Sequence, residues 1–346
     1  MKTAVLLLNL GGPDSLQAVE PFLANLFGDR DIFKLPFQKK LAAFIARKRA
    51  PKVIKEYELI GGRSPLGDWT ELQRKSLEEK LRRIDPDTDV ITCMRYWHPM
   101  TDEAVGRTIN GGYGRIILLP LYPHFSVSTT GSSFNEWRRQ MTALGAVRRD
   151  QYDHTGKRWW SEKWVTSSGA ELEAVFINDY YDNPLYTAAI NKRIDEGLEK
   201  FDDPSKVHIL FSPHGTPLSY VKKGDPYSFH IKKTVEQIMD QRKQSHGYSL
   251  SYQSRVGPVK WLEPYTSDMI RRLSSEGRRR LLVIPVSFVS DHVETLYELD
   301  IEYRHIAEQA GIEKYIVMTG LNDLPEFTDA LSDVVAGTVL GGAAKT

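Results

Sequence analysis

The stretch LLVIPVSFVSDHVETLYELDIEY, residues 281–303, joins a strand pattern to a helix pattern and indicates the class of fold. Residues 281–289 are almost continuously apolar, which is typical of a strand buried on both faces of a parallel sheet. The residues after them place Glu294, Glu298 and Glu302 four positions apart, and residues with this spacing share one side of an α-helix. A buried strand that runs directly into a helix is the repeating unit of an α/β protein.

The acidic row of the helix, Glu294, Glu298 and Glu302, has two explanations. Carboxylates beyond the carboxyl end of a buried strand lie where α/β sheets bind ligands, and their oxygens suit a hard divalent cation. Alternatively, Asp291 and Glu294 have the spacing of a capping box, and the other two acids form a solvated helix face. Both explanations are open from this segment alone.

Three strand candidates occur in the same order in each half of the chain: residues 5–8, 90–94 and 115–121, then residues 207–211, 252–254 and 280–286. The last pair, RIILLPL and RLLVIPV, matches position by position in character. The repeat predicts an α/β fold of two similar Rossmann-like domains with parallel sheets and a ligand cleft between them. We predict these domains at residues 1–165 and 166–323, followed by a closing helix and tail at 324–346.

The overall composition excludes several classes of protein. The 346 residues carry a formal net charge of +1, which gives no sign of nucleic-acid binding. The single cysteine, Cys93, excludes a disulfide framework, a zinc site of several cysteines and a cysteine-ligated iron–sulfur cluster. The sequence shows no apolar run of membrane-spanning length and no cleavable leader, so we expect a cytoplasmic protein.

His214 is the candidate base or metal ligand of the second half. It lies in FSPHGTP, residues 211–217, a turn held between two prolines directly after a predicted strand. An imidazole can take a proton near neutral pH or bind a transition metal. The alternative is a histidine that only hydrogen-bonds its own loop.

The glycine-rich turn NLGGP, residues 9–13, resembles half of a dinucleotide-binding fingerprint. It lacks the third glycine at the required spacing, and the sequence contains no Walker-type phosphate loop. We therefore expect no nucleotide cofactor. The turn is interpreted instead as one that brings the backbone close to a ligand.

Polar and aromatic side chains near predicted strand ends are candidate ligand contacts. Residues 122–133, YPHFSVSTTGSS, form a hydroxyl-rich loop that either hydrogen-bonds a substrate edge or is an ordinary turn. Arg95 suits a carboxylate, because a guanidinium binds one with two parallel hydrogen bonds; a structural salt bridge is the alternative. The tryptophans of WWSEKW, residues 159–164, and Trp261 are expected near the cleft.

A basic amphipathic segment begins at Ile32, ends at Lys52 and contains no acidic residue. Such a segment can lie on an anionic membrane surface or hold an anionic apolar ligand. The alternative is a helix whose apolar side chains pack on its own domain. We expect a peripheral membrane contact at this segment, which would place the protein at the inner membrane.

Together these segments resemble the ferrochelatase family, whose members insert ferrous iron into a porphyrin to make haem. The resemblance spans nearly the whole chain, and SDHVETLYELDIEY at residues 290–303 is its most diagnostic motif. The other motifs are LLNLGGP (7–13), IGGRSPL (60–66), MRYWHP (94–99), LYPHFSVSTTGSS (121–133), FSPHGTP (211–217) and VGPVKWLEPYTSD (256–268).

The resemblance implies roles for individual residues. His214 matches the active-site histidine of the family and Glu294 the carboxylate that faces it. The implied metal contacts are His214, Glu294, Glu298 and Glu302. The implied substrate contacts are Leu10, Arg49, Ser64, Arg95, Tyr122, Ser128, Ser132 and Trp261. The family also implies Fe²⁺ and a porphyrin as substrates, haem as the product, and a cleft lip carried by the first domain.

The sequence departs from the family pattern at Pro213 and Thr216, where alanine and leucine are usual. It also lacks the C-terminal cysteines that hold a cluster in some members. The NLGGP and TTGSS segments favour the branch that uses protoporphyrin IX and forms protohaem in the terminal step of haem biosynthesis. The alternatives are a coproporphyrin III ferrochelatase, a porphyrin or haem carrier without catalysis, and a nucleotide-dependent oxidoreductase, against which the incomplete glycine pattern argues.

Overall fold

The computed structural model describes residues 1–150, 157–257 and 259–339, which form two β-sheets flanked by helices. The first sheet has the order β2-β1-β3-β6-β5-β4, and its strands are β1 (Thr3–Asn9), β2 (Thr88–Met94), β3 (Arg115–Pro120), β4 (Val147–Arg148), β5 (Trp159–Val165) and β6 (Glu171–Ile177). The second has the order β10-β9-β7-β8, and its strands are β7 (His208–Phe211), β8 (Tyr248–Leu250), β9 (Arg280–Ile284) and β10 (Lys314–Val317).

The helices lie between the strands along the chain. They are α1 (Val19–Phe27), α2 (Gln38–Leu59), α3 (Leu66–Arg82), α4 (Thr101–Asn110), α5 (Ser132–Ala143), α6 (Pro184–Leu198), α7 (Leu218–Lys222), α8 (Tyr227–Gln241), α9 (Thr266–Ser275), α10 (Tyr303–Gln309) and α11 (Pro325–Val339). Two π-helices, Val127–Gly131 and Glu294–Glu302, and a 3₁₀ turn, Pro204–Lys206, complete the described elements.

The two sheets share a common parallel core. In the first sheet β1 pairs in parallel with β2 and β3, and β6 joins β3. In the second, β7 pairs in parallel with β8 and β9, and β10 joins β9. Each half therefore contains four parallel strands connected in the same order, which confirms the predicted α/β fold of two Rossmann-like units.

Two predicted strands have wrong limits. The strand expected at 281–289 ends at Ile284, because Pro285 has no N–H to give to the ladder. The strand expected at 252–254 makes only isolated bridges, and the strand beside β7 is Tyr248–Leu250. Ser254 has a φ of 64°, a left-handed conformation that ends an extended segment.

The hydrophobic core alternates along the buried strands. In β1, Val5 and Leu7 face a central core, whereas Leu6 and Leu8 face an outer core beneath α4 and α5. In β9, Leu282 faces the same central core. This core therefore contains residues of both sheets, and burial of each such leucine contributes about 1.5–3 kcal/mol to folding.

The helices α1 and α2 form a hairpin with its own small core, which includes Leu23, Phe27 and Ala46. Val293, one residue before the long π-helix, packs against this core. The hairpin of the first half therefore contacts the start of the acidic helix of the second half. No helix among the described residues is long and apolar enough to cross a membrane.

The three-part division of the chain stays a prediction. The first sheet continues through β6 to Ile177, which lies beyond the predicted boundary at residue 165. The expectation that WWSEKW lies near the cleft is wrong. Trp160 and Trp164 of β5 are buried in the outer core of the first sheet, where Phe134 and Trp137 contact them edge to face.

Candidate active site

The sheet topology brings the His214 turn and the acidic helix together. His214 follows β7 and the π-helix Glu294–Glu302 follows β9, which is the parallel neighbour of β7. Parallel neighbours end at the same edge of a sheet, where α/β proteins bind their ligands. The Ser287 hydroxyl accepts a hydrogen bond from the backbone N–H of His214 at 3.0 Å, which connects the two strand ends directly.

His214 and Glu294 face each other at this edge. The imidazole Nε2 lies 3.5 Å from the carboxylate Oε1. The opposite ring nitrogen, Nδ1, donates to the backbone carbonyl of Gly215. The side chains are 31% and 29% exposed, so both have a surface open to a ligand.

His292 is a second imidazole at the site that the sequence analysis missed. Its Nε2 lies 3.2 Å from Glu294 Oε2, and its Nδ1 lies 3.0 Å from the carbonyl oxygen of Ser290. Glu294 is therefore held between two imidazoles, with one oxygen towards each. The signal in the sequence was the second titratable residue of the SDHVET motif, two positions before Glu294.

The hydrogen bonds of His214 restrict where its protons lie. A carbonyl oxygen only accepts, so Nδ1 of His214 carries a proton. Nε2 can then bond the Glu294 carboxylate only when it is protonated as well. An imidazolium and a carboxylate are the forms that this geometry favours.

The charges of the pair stabilise each other. Burial alone would lower the pKa of His214, but the Glu294 carboxylate outweighs it and raises the pKa of His214 to about 9. Burial alone would raise the pKa of Glu294, but the two imidazoles, His214 first, hold it well below its usual range. At neutral pH the pair is thus an ion pair.

Glu298 lies one step along the acidic row and is held by hydrogen bonds. Its Oε1 accepts from the backbone N–H of Ser254 and from the hydroxyl of Tyr303, both at 2.8 Å, and its Oε2 accepts from the Ser254 hydroxyl. Burial, followed by the nearby charge of Glu294, raises the pKa of Glu298 despite these donors.

The acidic row differs from the expected α-helix. Its helix is a π-helix, a rare form that is frequent at functional sites. Glu294 faces the two imidazoles, Glu298 is half-buried and Glu302 is exposed, so the row runs from the site to the surface. The capping box is absent at this described segment, since Asp291 instead accepts from the Thr295 hydroxyl at 3.0 Å.

The acids of the row do not converge on one point. Within residues 1–150, 157–257 and 259–339, no three histidine, cysteine or acidic side chains lie close enough to hold one metal ion together. The assignment of His214, Glu294, Glu298 and Glu302 as metal contacts stays a prediction, in which the acids act one after another.

Aromatic rings surround the two imidazoles. The ring of Trp261 lies 6.2 Å from that of His214, and its role as a cleft aromatic stays a prediction. Phe288, which the sequence analysis did not single out, lies 6.2 Å from His214 and 4.5 Å from His292. Gly215 makes this packing feasible, because a Cβ atom there would lie 2.9 Å from the carbonyl oxygen of Gln253.

In the first half, Arg95 and Ser132 belong to a buried polar network around Asp29. The Arg95 guanidinium lies 2.9 Å from the Asp29 carboxylate and donates to the Ser132 hydroxyl at 2.9 Å. Tyr96 and Ser132 also donate to Asp29. The salt-bridge alternative for Arg95 therefore describes this network, and binding of a substrate carboxylate by Arg95 stays a prediction.

Ser64 and Leu10 lie around the glycine-rich turn. The backbone N–H of Ser64 donates to Pro13 at 2.8 Å, and a Cβ atom on Gly12 would lie 2.4 Å from the Ser64 hydroxyl oxygen. The carbonyl of Leu10 accepts from the backbone N–H of Tyr96 at 2.8 Å. Gly11 and Gly12 therefore allow neighbouring segments to pack closely. Gly11 also has a φ of 80°, a backbone conformation that favours glycine.

The remaining predicted contacts lie on separate elements. Arg49 is exposed on α2, with its guanidinium 5.7 Å from the centre of the Phe27 ring. Tyr122 is buried at the end of β3, and Ser128 is half-buried in the π-helical turn Val127–Gly131. Their roles as porphyrin contacts stay predictions.

Two sheets with similar four-stranded parallel cores, and an imidazole–carboxylate pair beyond adjacent strand ends of the second, define a chelatase-like α/β fold. The fold is similar to that of SirB from Bacillus subtilis, solved with Fe³⁺, at a TM-score of 0.51 and 11% identity over 100% of this chain and 98% of that one. The sirohydrochlorin chelatase SirB from Bacillus subtilis subspecies spizizenii, solved with cobalt, gives the same TM-score at 9% identity.

Residues 2–339 match the family model described as ferrochelatase, and the chain belongs to the ferrochelatase family. It is 46% identical to a ferrochelatase of Geotalea uraniireducens over 98% of both chains. It is 45% identical to a ferrochelatase of Aquifex aeolicus over 98% of this chain and 100% of that protein.

Proposed function

We propose that this chain is an enzyme that inserts Fe²⁺ into protoporphyrin IX and forms protohaem, the terminal step of haem biosynthesis. The observation that supports this most directly is the ion pair of His214 and Glu294 at the edge of the second sheet. A free-base porphyrin carries two pyrrole N–H protons that must leave as the metal enters. Metal insertion therefore needs a proton acceptor close to a metal contact.

The protonation states of His214 and Glu294 suggest how the two residues divide proton transfer and metal contact. Because the pKa of His214 is raised to about 9, its imidazole already holds both protons at neutral pH. The free acceptor of the pair is then the Glu294 carboxylate. A dication that approaches Glu294 repels the imidazolium and lowers its pKa, so His214 can release its proton to solvent, accept one pyrrole proton and pass it to solvent before it accepts the second.

The acidic row supplies a route for the cation. Glu302 is exposed, Glu298 is half-buried and Glu294 lies at the imidazoles, so successive carboxylates lead inward. Oxygen ligands suit a hard or borderline dication such as Fe²⁺.

The lip of the cleft is proposed to touch the membrane. On the segment 32–52, Phe37 is 86% and Phe44 53% exposed. The exposed basic side chains of the same segment are Lys34, Lys39, Lys40, Arg47, Lys48, Arg49 and Lys52. Apolar rings beside cations suit the surface of an anionic bilayer, which is where a hydrophobic porphyrin or haem would be exchanged. We propose a cytoplasmic protein held peripherally at the inner membrane.

The test is anaerobic turnover of purified protein with Fe²⁺ and either protoporphyrin IX or coproporphyrin III, followed by absorbance. We expect haem formation with a higher kcat/KM for protoporphyrin. Preference for coproporphyrin would move the assignment to the coproporphyrin branch. Tight porphyrin binding without metal insertion above the uncatalysed rate would indicate a carrier and defeat the proposal.

The matched variant is His214→Ala. It should lose most turnover while it still binds protoporphyrin, as measured by quenching of tryptophan fluorescence. A folded His214→Ala protein with normal kcat would remove His214 from the mechanism.

A further inference from the structure

The segment that connects the His214 turn to α8 reaches across to the first half at two points. The hydroxyl of Tyr220 donates to the backbone carbonyl of Ile32 at 3.3 Å. Asp225 accepts from the Ser126 hydroxyl at 2.9 Å and from the backbone N–H of Val127 at 2.8 Å. Asp225 is 6% exposed, so its hydrogen bonds are shielded from water.

Asp225 also organises its own side of the cleft. Its other oxygen accepts from the backbone N–H of Tyr227 at 2.9 Å, at the start of α8. The hydroxyl of Tyr227 then donates to the backbone carbonyl of His214 at 2.8 Å. One carboxylate therefore connects the hydroxyl-rich loop of the first half to the backbone of the imidazole in the second.

We propose that Asp225 is a positioning residue for metal insertion. It ties the loop 126–131 to the His214 turn and thereby fixes the porphyrin cleft between Ser128 and His214. The role rests on the proposed function, because it concerns the geometry in which the porphyrin meets the imidazole. A ligand bound between two halves reacts well only when both halves are held in the correct relative orientation.

Asp225 also sets the direction of the hydroxyl protons in that loop. An ionised carboxylate only accepts, so the single hydroxyl proton of Ser126 points to Asp225. The Ser126 oxygen must then accept from Ser128, whose hydroxyl oxygen is 3.0 Å away and whose backbone N–H is 3.4 Å away. The Ser128 hydroxyl thus has lone pairs rather than its proton free for a bound ligand.

The competing explanation is that Asp225 only stabilises the fold. Its loss would then lower the free energy of unfolding and impair the kinetics with both substrates alike, because a loosened fold has no preference for one of them. A positioning role predicts a split instead. The affinity for the porphyrin falls, and the KM for Fe²⁺, whose route lies along the acidic row, stays unchanged.

The experiment compares Asp225→Asn, Ser126→Ala and the double variant with wild type. Asp195→Asn is the matched control, because Asp195 bonds Arg242 at the far end of α8 at 2.7 Å and does not contact the loop. The first readout is backbone hydrogen exchange of residues 125–131 and 212–217 in the porphyrin-free protein. The second is KM for protoporphyrin and for Fe²⁺, measured separately.

We expect exchange at 125–131 to accelerate about tenfold in Asp225→Asn and Ser126→Ala, since a buried hydrogen bond to a charged group is lost. We expect KM for protoporphyrin to rise about five- to tenfold, with KM for Fe²⁺ within about twofold of wild type. The double variant should be no worse than the poorer single variant, because both remove one connection. Asp195→Asn should match wild type.

Unchanged exchange at 125–131, additive effects in the double variant, or a parallel rise in KM for protoporphyrin and for Fe²⁺ would overturn the positioning role. If Asp225→Asn does not fold, Ser126→Ala alone decides the question by the same readouts. Turnover by wild type tests the proposed function separately. The exchange data decide the connection between loop and turn even if wild type makes no haem.

Discussion

The Nε2 atom of His214 lies 3.5 Å from the Oε1 atom of Glu294, although α7, α8, β8, α9 and β9 separate the two residues along the chain. The contact exists because β7 and β9 are parallel neighbours and their carboxyl ends meet. It forms an ion pair that stabilises both charges and leaves both side chains partly open to a ligand.

Glu294→Gln should lower the pKa of His214 from about 9 towards its ordinary value of about 6.5, because the carboxylate is what raises it. The measurement is an NMR titration of the imidazole in metal-free protein. Glu302→Gln is the control, since Glu302 is exposed and further from the ring, and it should leave the titration unchanged. A His214 pKa that stays near 9 in Glu294→Gln would show that another group holds the proton.

The same pair makes stability depend on pH. The raised pKa of His214 gives stability that is fully present below about pH 6.5 and is lost as the pH rises through about 9. The lowered pKa of Glu294 gives stability that is present above its ordinary range and is lost in acid. Urea unfolding from pH 6 to 10 should show a steeper loss for wild type than for Glu294→Gln. Parallel curves would contradict this.

Glu298→Gln should raise KM for Fe²⁺ about five- to tenfold and leave protoporphyrin binding within about twofold, if the acidic row delivers the cation. Tyr303→Phe is the matched control, because it removes one donor to Glu298 and keeps the carboxylate. Its KM for Fe²⁺ should change less than that of Glu298→Gln. An unchanged KM for Fe²⁺ in Glu298→Gln would indicate that the acidic row is only a solvated helix face.

The exposed lip should bind anionic vesicles. Sedimentation with phosphatidylglycerol vesicles should show binding that weakens as salt rises, because the basic side chains of segment 32–52 are screened. Phe37→Ala with Phe44→Ala should weaken binding at every salt concentration. Phe229→Ala is the control, since Phe229 is also 53% exposed but belongs to α8 and not to segment 32–52. Binding that is insensitive to salt would argue against an electrostatic contact.

Gln73 is a buried connection between the two halves. Its side-chain N–H₂ donates to the Ser290 hydroxyl at 2.9 Å and to the carbonyl of Asn322 at 2.7 Å. Gln73→Leu should lower the free energy of unfolding by about 1–3 kcal/mol, because both acceptors lose a partner in the interior. Gln140→Leu is the comparison, because Gln140 is only half-buried and donates only to Glu136 of its own helix, and its effect should be smaller than that of Gln73→Leu. Urea unfolding of both variants measures the difference.

Local patterns in the sequence predicted much of this architecture. Apolar runs such as residues 115–121 and 280–286 identify strands because burial on both faces leaves no room for polar residues. Their shared order predicted two related sheets. The patterns missed the real position of β8, since a three-residue strand carries too few positions to show a period.

The contacts of the site were less accessible from sequence. Asp29 binds Arg95 from a distant part of the chain, and nothing near either residue indicates the other. His292 was passed over because the segment was interpreted as a regular α-helix, whereas the helix begins at Glu294 and is a π-helix. Asp225 lies in a connection whose sequence resembles any polar loop.

Residue types and their near neighbours are enough to show which side chains carry the chemistry and which segments are buried, because both are local properties. Which groups meet depends on how the strands pack. The tertiary structure places His214 and His292 on opposite oxygens of Glu294 and Asp225 against Ser126. Such pairings follow from the order in which strands pack, and hydrogen bonds and charges act between atoms in space whatever their separation along the chain.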